Sequence, residues 1–189
     1  PIAYDNRDVG LSSRFTATPS FLLDYIKYFL RLPIKSEYKI DDMADDGIQL
    51  LETLKIEKAH IFSTSMGGMI AQIISAQYPE KVKTFTLIAS TASTPSPINA
   101  PTRAVREIML QRSKNPNASY EEIIKREIKM VSLIGMEGRE VDTPEFRKET
   151  IENLDRSKDG SGYARQLLSI LASKDRLKKI KKIKAPTLI

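Results

Sequence analysis

Residues 58–72 have the sequence KAHIFSTSMGGMIAQ, in which a short apolar run is followed at once by a serine, two glycines and a helical pattern. Residues 59–63 are typical of a strand, and from Met69 the apolar residues recur at helical spacing up to Pro79. The β-branched and largely apolar residues 82–90 predict a second strand, parallel to the first and buried on both faces. Strand, helix and strand in this order form a βαβ unit, which predicts an α/β fold.

Further elements are predicted on both sides of this unit. Apolar spacing predicts helices over 19–32, 41–54, 101–113, 119–134, 143–157 and 162–173, and buried strands at 1–5 and 186–189. The helices between 101 and 157 interrupt the strand–helix alternation, as an inserted lid or cap does. We therefore expect an α/β core formed by residues 1–92 and 159–189 and a helical cap formed by residues 93–158.

Composition excludes several classes of protein. The 189 residues are 41% hydrophobic and 29% charged, which is typical of a globular domain. The absence of cysteine excludes disulfides, iron–sulfur clusters, Cys-based zinc sites and a cysteine nucleophile. The uncharged runs are too short and too polar for a membrane-spanning helix.

Two charged segments have structural explanations. The net charge of +6 comes from residues 174–184, whose basic side chains are predicted to form the solvated face of a short helix. Because no aromatic side chains alternate with them, we expect no nucleic-acid partner. The four carboxylates in residues 41–46 could form a metal site, but their place at the start of a helix favours capping and the helix dipole.

Ser63, Thr64, Ser65, Met66 and Gly67 form the segment with the clearest chemical meaning. A serine on a sharp strand-to-helix turn is a nucleophile elbow of the G-x-S-x-G type, here with Ser63 in place of the first glycine. The positions two before and two after the nucleophile must be small, because strand and helix backbones approach there, and Ser63 and Gly67 satisfy this. The turn exposes the Ser65 hydroxyl and directs the Met66 N–H at a developing oxyanion, while Thr64 shares the backbone strain.

Several stretches closely resemble the α/β-hydrolase superfamily, in particular its bacterial esterase-like members. They are residues 4–12 (YDNRDVGLS), 38–46 (YKIDDMADD), 58–72, 163–168 (YARQLL) and 185–189 (APTLI), in the order that the superfamily has them. The resemblance implies a mostly parallel sheet with helices on both faces, a small-molecule ester substrate, no cofactor and no metal. We also expect a cytoplasmic location, although any leader would lie upstream of this segment.

The triad of this superfamily is in the chain order Ser, Asp or Glu, His. The resemblance implies that the acid and the histidine follow the strand that begins at Pro186, and that the second oxyanion N–H precedes residue 1. We therefore expect the 189 residues to be an interior segment of a longer enzyme. His60 is the only histidine, and it precedes Ser65 by five strand residues, about 16 Å, whereas a base must approach within about 3 Å. We expect His60 to be structural.

The leading hypothesis is a serine hydrolase that cleaves carboxylic esters through an acyl-enzyme on Ser65. Two alternatives remain open: a lactonase or cofactor-free perhydrolase on the same fold, and a non-catalytic relative that binds ligands in the cap groove. The cap residues that would line an acyl pocket, or fill a core, are Met109, Met130, Leu133, Ile134 and Met136. Asp5 and Arg7 could bind a substrate carboxylate, but we expect them to fix their own loop. Acyl and alcohol specificity and the oligomeric state stay open.

Overall fold

The computed structural model describes residues 1–17, 21–30, 32–93, 100–114, 118–135, 137–156 and 160–189. The chain divides into two compact units. We call Pro19–Pro97 with Leu167–Ile189 the sheet unit, and Pro1–Thr18 with Ile98–Gln166 the helical unit. The assignment of residues 93–158 to a cap stays a prediction.

Three parallel strands form the sheet. They are β1 (Ala59–Thr64), β2 (Val82–Ile88) and β3 (Thr187–Leu188), in the order β1-β2-β3. The predicted strands at 59–63, 82–90 and 186–189 are confirmed. The carboxyl ends of β1 and β2 are level, because Thr64 pairs with Ile88.

Only one face of the β1–β2 pair is well buried. Phe85 and Leu87 of β2 belong to the core, whereas Phe62 of β1 is 73% exposed and Ile88 is 45% exposed. The prediction that the second strand is buried on both faces is therefore wrong for the described residues. Apolar character did not distinguish the two faces, because Ile88 and Phe62 are as apolar as the residues that pack inward.

The predicted strand at 1–5 is also wrong. Residues 1–6 have no regular secondary structure, and residues 1–4 are exposed. A strand needs a neighbour to which its N–H and C=O groups can bond. Within the described part of the chain, the three-stranded sheet pairs only β1, β2 and β3.

Two helices of the sheet unit pack against each other and contribute many of its buried core residues. They are α2 (Ile40–Thr53) and α3 (Ser65–Gln77), and in α3 every residue from Gly68 to Ala76 is buried. The Tyr78 hydroxyl, just after α3, donates to Asp45 of α2 at 2.8 Å. This hydrogen bond is the main cause that raises the pKa of Tyr78.

The acidic start of α2 has the predicted capping role. Asp42 accepts the backbone N–H of Lys39, the N-cap residue, at 2.6 Å. Asp41 forms an ion pair with Lys179. Both carboxylates therefore have partners, and the helix N-terminus explains their position.

The basic segment differs from its prediction at two basic residues, Lys179 and Arg176. The helix α8 covers only Leu177–Ile180. Lys178 on it is exposed as expected, whereas Lys179 is half-buried and pairs with Asp41. Arg176, at its N-cap, is instead 2% exposed. Burial lowers the pKa of its guanidinium, although Asp41 and Asp175 oppose this effect.

The remaining helices confirm the sequence predictions with small changes in length. In the sheet unit α1 is Phe21–Phe29; in the helical unit α4 is Arg103–Lys114, α5 is Tyr120–Ile134 and α6 is Pro144–Arg156. The helix α7 is Gly162–Ala172, and the boundary between the units falls within it. Among the described helices, none has the length and apolar character needed to cross a bilayer.

Candidate active site

Ser65 occupies the turn between β1 and α3. It follows the last residue of β1, begins α3, is exposed, and has a φ of 50°. A left-handed φ costs an L-residue about 1–2 kcal/mol and persists only when the surrounding structure enforces it. Ser65 thus lies in an exposed turn with unfavourable backbone angles, as the sequence predicts. Its role as a nucleophile stays a prediction.

The Met66 N–H lies in the first turn of α3. Amides of a first turn have no carbonyl one turn earlier in the helix, and they lie at the positive end of its dipole. Thr64 is the N-cap residue, with extended backbone angles, and among the described residues its side chain makes no capping hydrogen bond. The Met66 N–H is therefore suited to donate a hydrogen bond to a negative oxygen that develops next to the Ser65 hydroxyl.

Ser63 is buried near the end of β1. Its side chain is 8% exposed, and its hydroxyl donates to the Thr86 carbonyl of β2 at 3.1 Å. The short side chain thus lies buried against the neighbouring strand. A larger side chain would have to displace that strand or the helix above it.

The steric argument for Gly67 is wrong. A Cβ added at Gly67 would meet no described atom within 4 Å, whereas one added at Gly68 would lie 2.5 Å from Leu87 Cδ1 and 2.6 Å from Ser90 Cβ. The close approach of helix to strand therefore occurs one residue later than the elbow pattern implies. Gly67 stays a predicted elbow residue, without that packing reason.

Sequence reasoning missed two residues around this turn. Ser90, just beyond β2, donates its hydroxyl to the Ser65 carbonyl at 2.7 Å. Arg176 donates from Nη2 to the Thr91 carbonyl at 2.9 Å and from Nε to Gln72 of α3 at 3.1 Å. The available signals were weak: a serine after a strand, and one arginine among many lysines.

His60 lies at the other end of β1. Its Nδ1 is 2.8 Å from Thr84 Oγ1 of β2, and the two residues are register partners near the start of both strands. Four further residue pairs of the ladder follow this pair, and the last of them is Thr64 with Ile88 at the end of β1. This position agrees with a structural role for His60.

Asp5 and Arg7 belong to a loop of the helical unit and fix it, as expected. Asp5 accepts the Leu11 N–H at 3.0 Å through its carboxylate and the Ser12 hydroxyl at 2.6 Å through its carbonyl. The Arg7 guanidinium lies 5.7 Å from the Phe15 ring centre. These contacts account for both side chains without a ligand.

The same loop contains a buried ion pair that the sequence did not reveal. Asp8 is fully buried, and its two carboxylate oxygens accept from Arg165 of α7 at 2.8 and 2.9 Å. Gly10 has a φ of 56°, and a Cβ there would collide with the Asp5 carboxylate. The loop is therefore held by both charge pairing and backbone shape.

The described residues give no support to the predicted acyl pocket at Leu133, Ile134 and Met136. Met136 lies outside the described residues, and Leu133 and Ile134 of α5 are exposed. Among the described residues, no three His, Asp or Glu side chains come together in a group that could hold a metal ion.

Comparison with known proteins supports the fold. The chain is 26% identical over 162 residues to the rhodomycin D methylesterase DauP of Streptomyces sp. (strain C5), covering 78% of this chain and 49% of that protein. The chain thus spans about half the length of this relative.

Solved structures agree. A hydrolase from Pseudomonas aeruginosa PA01 superposes with a TM-score of 0.60 at 17% identity, covering 97% of this chain and 58% of that one. A thermophilic esterase from Thermogutta terrifontis gives the same TM-score and identity, with 97% and 57% covered. A family model described as alpha/beta hydrolase fold matches residues 2–129, well over half of the sequence. With its parallel sheet and its strand–serine–helix turn, the chain belongs to the α/β-hydrolase fold family.

Proposed function

We propose that the protein is a serine hydrolase that cleaves carboxylic esters through an acyl-enzyme on Ser65. One observation carries the proposal: an exposed serine held at a φ of 50° between a parallel strand and the N-terminus of a buried helix. A strained and exposed position has a cost in stability, and such costs are concentrated at functional sites. Family membership makes hydrolysis the reaction class to test first.

The proposed reaction has two halves. In the first, Ser65 Oγ attacks the ester carbonyl carbon and loses its proton to a base, and the alcohol leaves with that proton as the C–O bond breaks. In the second, water adds to the acyl-enzyme, its proton passes to the same base, and the carboxylic acid leaves as Ser65 recovers its proton. In both halves the Met66 N–H donates to the oxyanion.

In this proposal the base is a residue other than His60, and we expect both the base and the acid in the part of the full-length protein outside these 189 residues. His60 is the single histidine, and it pairs with Thr84 near the far end of β1. A base has to reach the nucleophile within about 3 Å. The proposal therefore concerns the full-length protein, and it assigns only the nucleophile and one oxyanion donor to this segment.

The substrate class is inferred from the relatives. Rhodomycin D methylesterases are ester-cleaving enzymes by name, and we extend only the ester bond to this protein. A lactone is an internal ester and reacts by the same steps, so ring opening is a variant of the same chemistry. Perhydrolysis would require hydrogen peroxide in place of water in the second half-reaction.

The test uses the full-length protein, with Ser65→Ala and His60→Gln as a matched pair. We expect the wild type and His60→Gln to hydrolyse p-nitrophenyl acetate and to react with a fluorophosphonate, and Ser65→Ala to do neither while it stays folded. Mass spectrometry should locate the label on Ser65.

Two outcomes would contradict the proposal. A folded wild type that neither hydrolyses esters nor takes the label would indicate a non-catalytic binding protein. Loss of hydrolysis in His60→Gln, with the fold intact and Ser65→Ala still active, would show that the site is assigned to the wrong residues.

A further inference from the structure

The carboxyl ends of β1 and β2 turn in the same unusual way. Ser65 follows Thr64 with a φ of 50°, and Ala89 follows Ile88 with a φ of 47°. Thr64 and Ile88 are the last register pair of the two strands. Two adjacent strands thus end in left-handed residues at matching positions, and neither residue is glycine. Such a pair of strained turns needs contacts that maintain it.

A hydrogen bond joins the two turns. The Ser90 hydroxyl, one residue past Ala89, donates to the Ser65 carbonyl at 2.7 Å. Gly68 leaves the space for this contact, since a Cβ there would lie 2.6 Å from Ser90 Cβ and 2.7 Å from Ser90 Oγ. The carbonyl has two lone pairs, so it can accept from Ser90 and from the helix at the same time.

The segment after Ser90 is fixed from its other side. Arg176 donates from Nη2 to the Thr91 carbonyl at 2.9 Å, and its backbone N–H donates to the Ala92 carbonyl at 2.9 Å. Arg176 is itself buried and bonded to Gln72 of α3. Arg176 therefore connects the segment after Ser90 to α3, and Ser90 itself contacts the first turn of the same helix.

The contact has a consequence for Met66 through the geometry of the peptide bond. The Ser65 carbonyl and the Met66 N–H belong to one planar unit and point in opposite directions. A donor that fixes the carbonyl on one side therefore fixes the direction of the N–H on the other side. Hydrogen bonds in a chain also polarise one another, which strengthens the N–H as a donor.

We propose that Ser90 is a positioning residue for the Ser65 turn: its hydroxyl holds the Ser65–Met66 peptide so that the Met66 N–H is directed at the oxyanion site. The catalytic part of this inference rests on the proposed function, whereas the structural part does not. Ser90 itself touches neither substrate nor the reacting atoms in this scheme. Nothing in the elbow pattern assigns it a role.

The experiment compares three variants of the full-length protein. Ser90→Ala removes the hydroxyl, and Ser90→Thr keeps it. Thr84→Val removes a hydroxyl that also bonds across β1 and β2, at 2.8 Å from His60, but near the opposite end of the strands. We measure kcat and KM with p-nitrophenyl acetate, the Ki of a trifluoromethyl ketone that forms the oxyanion adduct, and amide exchange in the first turn of α3.

For Ser90→Ala we expect kcat to fall about three- to tenfold with KM nearly unchanged, as the loss of one hydrogen bond allows. The Ki of the ketone should rise by the same factor, and exchange of the Met69 amide, which bonds the Ser65 carbonyl in α3 geometry, should accelerate. Ser90→Thr should restore wild-type values, and Thr84→Val should leave all of them unchanged.

Any other outcome either contradicts the proposal or distinguishes its catalytic part from its structural part. Unchanged kcat and Ki in an active Ser90→Ala variant overturn the positioning role, as do equal losses in Ser90→Thr and Ser90→Ala. If the wild type has no hydrolase activity, the proposed function fails, and amide exchange then decides alone. Faster exchange in Ser90→Ala than in Thr84→Val supports the hold on the turn, and equal exchange refutes it.

Discussion

Two adjacent glycines of α3 should respond in opposite ways to the same substitution. Gly67→Ala adds a methyl group to open space, whereas Gly68→Ala drives one to 2.5 Å from Leu87 Cδ1 and 2.6 Å from Ser90 Cβ. Both variants gain up to about 1 kcal/mol from the higher helix propensity of alanine. That gain is common to both, so the difference between them isolates the close approach.

The magnitude follows from two contributions at Gly68. Overpacking in a well-packed core costs about 1–3 kcal/mol, and displacement of Ser90 from the Ser65 carbonyl costs up to about 1.5 kcal/mol more. We therefore expect Gly68→Ala to be about 1–4.5 kcal/mol less stable than Gly67→Ala. Ser90 Cβ is close to the backbone and cannot rotate away as the end of Leu87 can, so the clash is not relieved cheaply.

Urea unfolding of the two full-length variants, at equal m values, measures this difference. Gly67→Ala should equal or exceed the wild type in stability, and Gly68→Ala should fall below it. Equal free energies of unfolding for the two variants would refute the reasoning. So would a Gly67→Ala variant that is the less stable of the pair, since this would restore the steric argument from the elbow pattern.

Three further predictions concern other parts of the chain. Ser63→Leu should destabilise the protein by about 1–3 kcal/mol relative to Ser63→Ala, because it adds volume at a buried strand position, and similar urea midpoints would contradict this. Asp8→Asn should cost about 3–5 kcal/mol, because the buried Arg165 guanidinium loses its carboxylate partner. The double variant Asp8→Asn with Arg165→Met should cost less than the sum of the single changes, and additive losses in that cycle would show that the pair is not coupled. Burial raises the pKa of Asp5, but the Leu11 N–H and Arg156 together lower it by more, so the folded pKa lies below the ordinary value of 3.8. The ionised Asp5 therefore stabilises the fold above that value, and this stabilisation is lost as the pH falls through the folded pKa. In acid titrations of unfolding, Asp5→Asn should lose less stability than the wild type between about pH 5 and pH 3.

Local patterns were sufficient for the elements but not for the partners between them. The strand–serine–helix turn follows from residues 59–77, where the change from β-rich to helical spacing occurs at a single serine. Helix bounds agree within a few residues, because caps such as Ser119 of α5 are encoded locally. The strand predicted at 1–5 depended on a neighbour, and no pattern inside a segment states whether a neighbour is present.

Buried charges were missed for a related reason. Arg176 and Arg165 look like other basic residues in the sequence, and only their partners make burial possible. The partner of Arg165 is Asp8, which is 157 positions away, and Arg176 bonds carbonyls 85 and 84 positions away. Such pairings depend on the folded arrangement; the sequence analysis assigned Arg176 to the solvated face of a short helix and made no prediction about the burial of Arg165.

The contact between Ser90 and Ser65 lies at the end of a ladder that has one irregularity, at the opposite end of the strands. Ala59 pairs with Val82, but His60 pairs with Thr84, so that Lys83 is skipped and the register shifts by one residue. If the register of the Ala59–Val82 pair continued along the strands without this shift, Thr64 would lie beside Leu87, and Ala89 would no longer lie beside Ser65. A slip of one residue also exchanges the two faces of a strand, so the Ser90 hydroxyl would be carried away from the Ser65 carbonyl. The position of the proposed oxyanion donor is therefore linked, through the sheet register, to the shift in pairing next to His60.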